Sequence, residues 1–187
     1  MRRLSQTVIL IHSSMKPVPS NRFTVKDIAL LGMMLAVLEV GKKALEFAPN
    51  VEVVTLLFIL YARNFGLKAL IIAVAFTGLE MFFWGVHTWV IMYLYMWPAL
   101  ILIVYFTRKH GSYVMYIILS AAFGLFFGLF CSIPYLFIGG LQTAFAWWIA
   151  GIPYDIIHCV SNAVICAVLF KPLDYVLKKA VKWRNPA

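Results

Sequence analysis

The chain has 187 residues, of which 64% are hydrophobic and only 12% are charged, and its net charge is +9. Soluble domains carry roughly 25% charged residues, and several apolar runs here approach the roughly 20 residues that a membrane-spanning helix needs. The composition therefore excludes an ordinary soluble domain and predicts an all-α integral membrane protein. The basic residues form short clusters between apolar runs, a pattern typical of loops that set membrane orientation, so we expect no nucleic-acid partner.

Six transmembrane helices are predicted in chain order, after a basic cytoplasmic segment of residues 1–26. They cover about residues 27–45, 51–64, 67–85, 89–107, 112–138 and 143–170. Thr24 is a candidate N-cap for the first helix. Pro134 and the pair Gly139–Gly140 are expected to break the fifth helix near its outer end. Residues 27–177 form the predicted membrane domain, and residues 178–187 form a basic cytoplasmic tail.

The distribution of Lys and Arg predicts that both termini are cytoplasmic. Basic residues are frequent in the two terminal segments and in the second-to-third and fourth-to-fifth connections. The opposite side carries only Lys42 and Lys43, offset by Glu46 and Glu52. Because cytoplasmic loops carry the excess of Lys and Arg, the number of spans must be even, in agreement with the six apolar runs.

Ionisable side chains inside the predicted spans point to a pocket. Each costs about 2.5–3.5 kcal/mol on insertion scales, so such groups usually face a bundle interior or a wet cavity. Glu80 lies in the third span near its outer end, and His87 lies in the outer connection that follows. Asp155, His158 and Asn162 share one face of the sixth span at i, i+3 and i+7. The sequence predicts that these groups meet in a pocket open to the outside, or that the last three form an interhelical hydrogen-bond cluster.

Aromatic residues crowd the same predicted depth. Trp84, Trp89, Trp147 and Tyr154 lie near the outer boundary, where Trp and Tyr also form membrane-interface belts, so each belongs either to a belt or to the pocket. Tyr93 lies one turn deeper than Trp89 on the same helical face, and Trp97 lies two turns deeper. That depth exceeds what a belt needs and favours pocket lining.

A strip of small residues runs along the first predicted helix. Ala29, Gly32 and Ala36 follow at i, i+3 and i+7, and small residues at each turn let a second helix approach closely. The strip serves either packing within the chain or a partner protein.

Motifs for catalysis and metal binding are missing from the sequence. There is no GxxxxGK[ST] phosphate loop, no HExxH and no GxSxG, and none of the three cysteines, Cys131, Cys159 and Cys166, has metal-ligand spacing. We therefore expect no enzymatic activity, no catalytic residues and no bound metal.

Four stretches, in chain order, resemble the substrate-binding S components of energy-coupling factor transporters, the bacterial vitamin importers. They read APNVEVVTLLFILYARNFGLKAL, WVIMYLYMWPALILIV, CSIPYLFIGG and WWIAGIPYDIIHCVSNAVICAVLFKPL, and the similarity covers about residues 28–177. The resemblance implies a six-helix protein of the bacterial plasma membrane that captures a vitamin from outside. It also implies docking onto a transmembrane coupling protein and two cytoplasmic ATPases, which use the ATP, while this chain binds no cofactor.

The resemblance also gives the small-residue strip a role. In the family the first helix packs against the coupling protein through an AxxxA-type strip. Ala29, Gly32 and Ala36 match it, with glycine in place of one alanine.

The four stretches look closest to a cobalamin-associated subgroup, so the expected ligand is a corrinoid. Smaller vitamins such as pantothenate, pyridoxine or folate stay open. Amide side arms of a corrinoid would meet the polar candidates, and rings would meet the aromatic ones. The candidate ligand-binding residues are Glu80, Trp84, His87, Trp89, Tyr93, Trp97, Tyr135, Gln142, Trp147, Tyr154, Asp155, His158 and Asn162.

Two other functions compete with this interpretation. A self-sufficient proton-coupled transporter or channel would use Glu80 and the pair Asp155–His158 as a proton relay, which requires ionisable groups along a path through the membrane. An intramembrane enzyme would use the face of Asp155, His158 and Asn162 for acid–base chemistry, but no nucleophile or metal constellation accompanies that face.

Overall fold

The computed structural model describes residues 24–184, and all regular structure in that range is helical. The helices are α1 (Val25–Leu45), α2 (Val54–Phe65), α3 (Ala69–Trp84), α4 (Thr88–Thr107), α5 (Tyr113–Leu125) and α6 (Phe127–Arg184), with a short 3-10 helix, Gly66–Lys68, between α2 and α3. The all-α prediction is confirmed for this range. The predicted basic segment, residues 1–26, lies almost entirely outside the described residues.

Three helical stretches in the described range are long and apolar enough to cross a membrane. They are Val54–Trp84, Thr88–Thr107 and Tyr113–Trp183, of 31, 20 and 71 residues. Helix α1 is not among them, and its 21 residues include Asp27, Glu39, Lys42 and Lys43. The structure is thus compatible with a membrane protein, as the composition predicts.

The longest stretch folds back on itself at Gly140. Gly140 has φ 76°, a left-handed conformation that glycine adopts without steric cost. On either side of it, contacts join residues at nearly equal sequence distances. Gly128 N donates to Asp155 Oδ1 at 2.8 Å, and the rings of Tyr135 and Trp147 stack with centroids 4.8 Å apart. Residues 113–139 therefore run antiparallel to residues 141–184, and the predicted break at Gly139–Gly140 is present.

Pro134 does not break the helix, in contrast to the prediction. The helix continues through it, although proline has no N–H to donate to the carbonyl four residues earlier. That carbonyl belongs to Phe130, and it accepts a hydrogen bond from the Tyr95 hydroxyl at 2.7 Å. A neighbouring helix thus supplies the donor that proline lacks. A smaller irregularity, at Phe126, separates α5 from α6.

The other reversals also lie at the predicted connections. Gly66, with φ 62°, ends α2, and Gly85, with φ 77°, ends α3. Contacts such as the edge-to-face pair of Phe58 and Phe76 show that α2 and α3 are antiparallel. The described chain is therefore a bundle of six helical segments in which each segment runs opposite to the one before it. Its last segment extends to Arg184, beyond the predicted end at residue 170.

Helix α2 lies at the centre of the bundle. Residues 53–62 are all buried, as expected for a helix that is apolar on every side. Rings from three other segments pack around it. The ring centroids of Phe58 and Phe76 are 5.9 Å apart, those of Phe58 and Trp97 are 5.0 Å apart, and those of Trp97 and Phe123 are 5.7 Å apart. This core fixes the positions of α3, α4 and α5, and α4 in turn forms one wall of the site described below.

Helix α1 packs on the outside of α2 and α3. Its predicted cap is confirmed, because the Thr24 hydroxyl accepts from Asp27 N at 3.2 Å and Thr24 N donates to Asp27 Oδ2 at 3.0 Å. The Tyr61 hydroxyl of α2 donates to Met34 O at 2.8 Å. These contacts leave the opposite face of α1 exposed.

Candidate functional site

The charged residues divide the bundle into two ends. Five of the seven acidic residues lie towards the end where α1 finishes, which we call the acidic end: Glu39, Glu46, Glu52, Glu80 and Asp155. Lys42 and Lys43 lie at this end as well. The opposite, basic end carries Arg63, Lys68, Arg108 and the lysines that follow Phe170 on α6.

A cavity of about 330 Å³ lies at the acidic end between α4, both halves of α6 and the loop after α1. Its lining consists of Asn50, Trp89, Met92, Tyr93, Phe127, Gly128, Cys131, Trp147, Gly151, Tyr154 and Asp155. Five of these are predicted site residues: Trp89, Tyr93, Trp147, Tyr154 and Asp155. Tyr93 is almost fully buried, whereas Trp147 and Tyr154 are exposed, so the aromatic walls extend from the interior to the surface.

Asp155 is the polar anchor of this cavity. Its side chain is buried, Oδ1 accepts from Gly128 N at 2.8 Å, and Oδ2 has no hydrogen-bond partner among the described residues. Gly128 permits the contact because a Cβ there would lie 2.5 Å from Asp155 Oδ2. The close packing of the two halves of α6 thus places the buried Asp155 carboxylate in the wall of an aromatic-lined cavity.

His158 and Asn162 do not line the cavity, although they share a helical face with Asp155. His158 Nε2 lies 3.1 Å from Glu52 Oε1, and Asn162 Nδ2 lies 3.3 Å from both Thr55 Oγ1 and Ser120 O. Both side chains therefore tie α6 to neighbouring elements, which is the interhelical cluster that the sequence left as an alternative.

Glu52 lies in the loop before α2 and is the partner of His158. Burial is the largest single effect on the pKa of the Glu52 carboxyl, and it raises that pKa. Hydrogen bonds from His158 and Thr55, together with the charge of His158, lower the pKa by more, so it lies below its ordinary value. The Thr55 contribution comes from two bonds, since its backbone N donates to Glu52 Oε2 at 2.8 Å and its hydroxyl donates to Oε1.

Glu80 lies one layer behind the cavity wall. It is fully buried and forms an ion pair with Lys42 of α1, whose ammonium also lies 5.5 Å from the ring centroid of Trp89. Trp89 in turn lines the cavity. Nearby, both carboxylate oxygens of Glu39 are buried and have no hydrogen-bond partner in the described part of the chain. Glu80 therefore does not line the cavity and is connected to its wall only through Lys42 and Trp89.

Three more predicted residues surround the cavity without lining it. The His87 ring stacks on Trp89 with centroids 6.3 Å apart, and the Trp84 ring packs edge-on against Trp89 at 6.4 Å. Tyr135 stacks on Trp147, and its hydroxyl lies 3.2 Å from Thr88 Oγ1. These rings support the cavity walls from outside.

Trp97 and Gln142 lie farther away. Trp97 is buried in the aromatic core against Phe58, and its Nε1 has no hydrogen-bond partner among the described residues. Gln142 is exposed beside the reversal at Gly140. Of the two residues that lie deeper than Trp89 on the same helical face, Tyr93 lines the cavity and Trp97 does not.

Sequence reasoning missed six lining residues: Asn50, Met92, Phe127, Gly128, Cys131 and Gly151. Helical spacing contains a signal for one of them, because Met92 lies three residues after Trp89 on α4. Asn50 carries no such signal, because it reaches the cavity through a loop in which it adopts φ 59° and its carbonyl accepts from Ser161 Oγ at 2.7 Å.

The small-residue strip of α1 is exposed. Ala29, Gly32 and Ala36 all face away from the described bundle, and a Cβ added to Gly32 would meet nothing within 4 Å. Exposed apolar residues flank the strip, among them Met33 and Val37. Within residues 24–184 the strip therefore does not pack against the rest of the chain.

A second cavity, of about 550 Å³, lies at the basic end beside Arg63, Asn64 and the lysines near the end of α6. We place the candidate site at the acidic end because buried polar atoms without partners converge there. No group of three or more His, Cys, Asp or Glu side chains in the described range is arranged to hold a metal ion.

Comparisons with protein-family models, with curated proteins and with solved structures find no match for this chain. The functional interpretation therefore rests on its residues and their geometry.

Proposed function

We propose that this chain is the substrate-capturing membrane subunit of an energy-coupling factor type vitamin importer in the bacterial plasma membrane. The observation that carries the proposal is the aromatic cavity at one end of the bundle, with the buried carboxylate of Asp155 in its wall. A cavity with apolar walls and a few placed polar groups is the usual form of a small-molecule site.

The proposed topology has six spans, one for each helical segment, and both chain ends on the cytoplasmic side. The excess of Lys and Arg at the basic end supports this orientation. The cavity then opens outward, where a vitamin would be captured. Helix α1 would cross with two of its charged residues turned towards the bundle, where Glu39 and Lys42 lie near Glu80.

The proposed partners are a transmembrane coupling protein and two cytoplasmic ATPases. The exposed strip of Ala29, Gly32 and Ala36 supports docking, since small residues on an open helical face let another helix approach closely. In this proposal ATP is used by the partner subunits, and the chain itself catalyses no reaction and binds no cofactor.

The sequence favours a corrinoid as the vitamin, whereas the cavity favours a smaller one. Its volume of about 330 Å³ is at the lower end of the roughly 300–1,000 Å³ typical of sites for drug-sized ligands, and a corrinoid is larger than such ligands. The smaller vitamins that the sequence leaves open therefore agree better with this geometry.

Co-expression with a coupling protein and its two ATPases tests the proposal. We expect the four proteins to co-purify and to transport the vitamin into liposomes only with ATP. Gly32→Leu should leave binding intact and block transport, because the added side chain fills the open strip without meeting its own bundle. Accumulation of substrate by this chain alone, without ATP, would refute the mechanism, and full transport by Gly32→Leu would refute docking through the strip.

A proton-coupled transporter is the second candidate, and the buried group of Glu39, Glu80 and Lys42 favours it. A relay would have to continue to the basic end, where Asp27 is paired with Lys68 and Asp174 is paired with Arg63 and Lys178. Proton flux in liposomes that contain this chain alone would support the relay, and the absence of proton flux would refute it.

A further inference from the structure

The cavity at the acidic end has walls made mostly of aromatic rings and a single carboxyl group, that of Asp155. Trp89, Tyr93, Phe127, Trp147 and Tyr154 offer rings, which prefer offset-stacked or edge-on contacts with other flat rings. Asp155, only 5% exposed, offers a carboxylate oxygen without a partner among the described residues. An ionised carboxylate only accepts hydrogen bonds, so a matching ligand must donate one.

The charges around the cavity disfavour an anion. Among the described residues that line the cavity, Asp155 is the one that carries a carboxyl group, and none is a lysine, an arginine or a histidine. The two lysines nearby and His158 already have acidic partners: Lys42 with Glu80, Lys43 with Glu46, and His158 with Glu52. His87 does not line the cavity, and its ring stacks on Trp89. A carboxylated ligand would therefore lose its hydration, gain no cation and lie near Asp155.

We infer that the cavity selects a small, flat nitrogen heterocycle, neutral or protonated, that donates a hydrogen bond from a hydroxyl or amino group to Asp155, and that it rejects carboxylated ligands. The inference rests on the proposed function, because it names the substrate class of the capture site. Of the vitamins that the sequence leaves open, pyridoxine has these properties. Pantothenate and folate carry carboxylates, and a corrinoid exceeds the volume.

The test is a binding measurement on the purified full-length protein in detergent micelles. The probes are pyridoxine, an analogue in which one hydroxymethyl group is oxidised to a carboxylate, pantothenate and cobalamin, each titrated by calorimetry. We expect pyridoxine to bind and the carboxylated analogue to bind at least about 100-fold more weakly, since an unpaired buried charge is strongly unfavourable. Equal affinity for the analogue, tighter binding of cobalamin, or no binding of pyridoxine would overturn the inference.

Asp155→Asn isolates the anchor. The Asn side-chain oxygen can still accept from Gly128 N, while an amide group replaces the free Oδ2. Because hydrogen bonds to charged groups contribute about 1.5–3 kcal/mol, we expect pyridoxine affinity to fall about 10- to 150-fold, and the selectivity against the analogue to shrink. Asp174→Asn is the matched control, since Asp174 is a carboxylate at the basic end, away from the cavity, where it pairs with Lys178, and its affinities should equal those of the wild type.

A second variant keeps the test decisive if Asp155→Asn does not fold. Trp147→Leu removes a ring from an exposed position on the wall without changing a charge. Pyridoxine and its analogue should then lose affinity in equal proportion, so the selectivity stays at the wild-type value. A change of selectivity in Trp147→Leu, or unchanged pyridoxine affinity, would contradict the assignment of walls and anchor.

The outcomes separate this inference from the proposed function. If ligands bind according to charge but the chain neither co-purifies with a coupling protein nor supports ATP-dependent transport, the importer role is wrong and the selectivity stands. If transport is coupled to the ATPases but carboxylated ligands bind as well as pyridoxine, the importer role stands and the selectivity is wrong.

Discussion

The same substitution at two helical glycines should have opposite consequences for stability. At Gly124, an added Cβ would lie 2.8 Å from the backbone C and O of His158 and 2.9 Å from Cys159 N, whereas ordinary contacts begin at 3.4 Å. Backbone atoms cannot rotate away, so α5 and α6 would have to separate. Gly124→Leu should therefore reach or exceed the upper end of the usual overpacking cost of about 1–3 kcal/mol, which lowers Tm by about 6–12 °C.

Gly32 supplies the matched control. It lies inside α1, and an added Cβ would meet nothing within 4 Å. Because glycine in a helix interior is about 1 kcal/mol less favourable than a good helix former, Gly32→Leu should leave Tm unchanged or raise it by about 2–4 °C. Thermal unfolding in one detergent, followed by tryptophan fluorescence, measures both. Equal shifts for the two variants, or an unchanged Tm for Gly124→Leu, would refute the antiparallel packing of α5 on α6.

Three further substitutions test single contacts by the same unfolding assay. Lys42→Met should lower stability by about 3–5 kcal/mol because it leaves the buried Glu80 carboxylate without its partner, and Lys42→Met/Glu80→Gln should recover most of the loss; equal Tm for the single and double variants would contradict the pair. Tyr61→Phe should cost about 0.5–1.5 kcal/mol, since it removes the hydroxyl that donates to Met34 O, and an unchanged Tm would show that the bond is not formed. Because the pKa of Glu52 is lowered in the folded protein, its ionised carboxylate stabilises the fold at pH values above the ordinary pKa of 4.5. This contribution to stability is lost as the pH falls through the lower pKa of the folded state. The Tm difference between wild type and Glu52→Gln should therefore shrink below pH 4.5, and a difference that grows on acidification would reverse the assigned sign.

Most of the helical architecture could be predicted because its signals are local. Apolar runs end at glycines, because the turns that follow need a positive φ that glycine adopts without steric cost. Positive φ occurs at Gly66, Gly85 and Gly140. Pro134 shows where local reasoning fails. The helix tolerates Pro134 because the Tyr95 hydroxyl donates a hydrogen bond to the Phe130 carbonyl. Tyr95 lies 39 residues before Pro134, so the local sequence around Pro134 does not indicate this donor.

The site could be predicted only in part, for a related reason. Trp89 and Tyr93 share a face of one helix, so their spacing already places them together. Spacing also groups Asp155 with His158, but their roles are decided by what faces them. Gly128 faces Asp155 and leaves room for its carboxylate, whereas Glu52 reaches His158 from the loop before α2. The path of that loop depends on tertiary packing, which a helical repeat does not encode.

The position of α1 depends on the same contacts that form the cavity wall. At the acidic end Lys42 pairs with Glu80 of α3, and its ammonium faces the ring of Trp89. At the basic end Asp27 binds Lys68, just before α3, at 2.7 Å. Buried ion pairs add little net stability, because desolvation offsets most of their attraction, but each is costly to break singly. Two such pairs, at opposite ends of one helix, therefore fix its register against α3 more firmly than apolar contacts alone. The Lys42 side chain that contacts Trp89 in the cavity wall thus also helps to fix the position of Gly32 along the bundle axis, on the exposed face of α1.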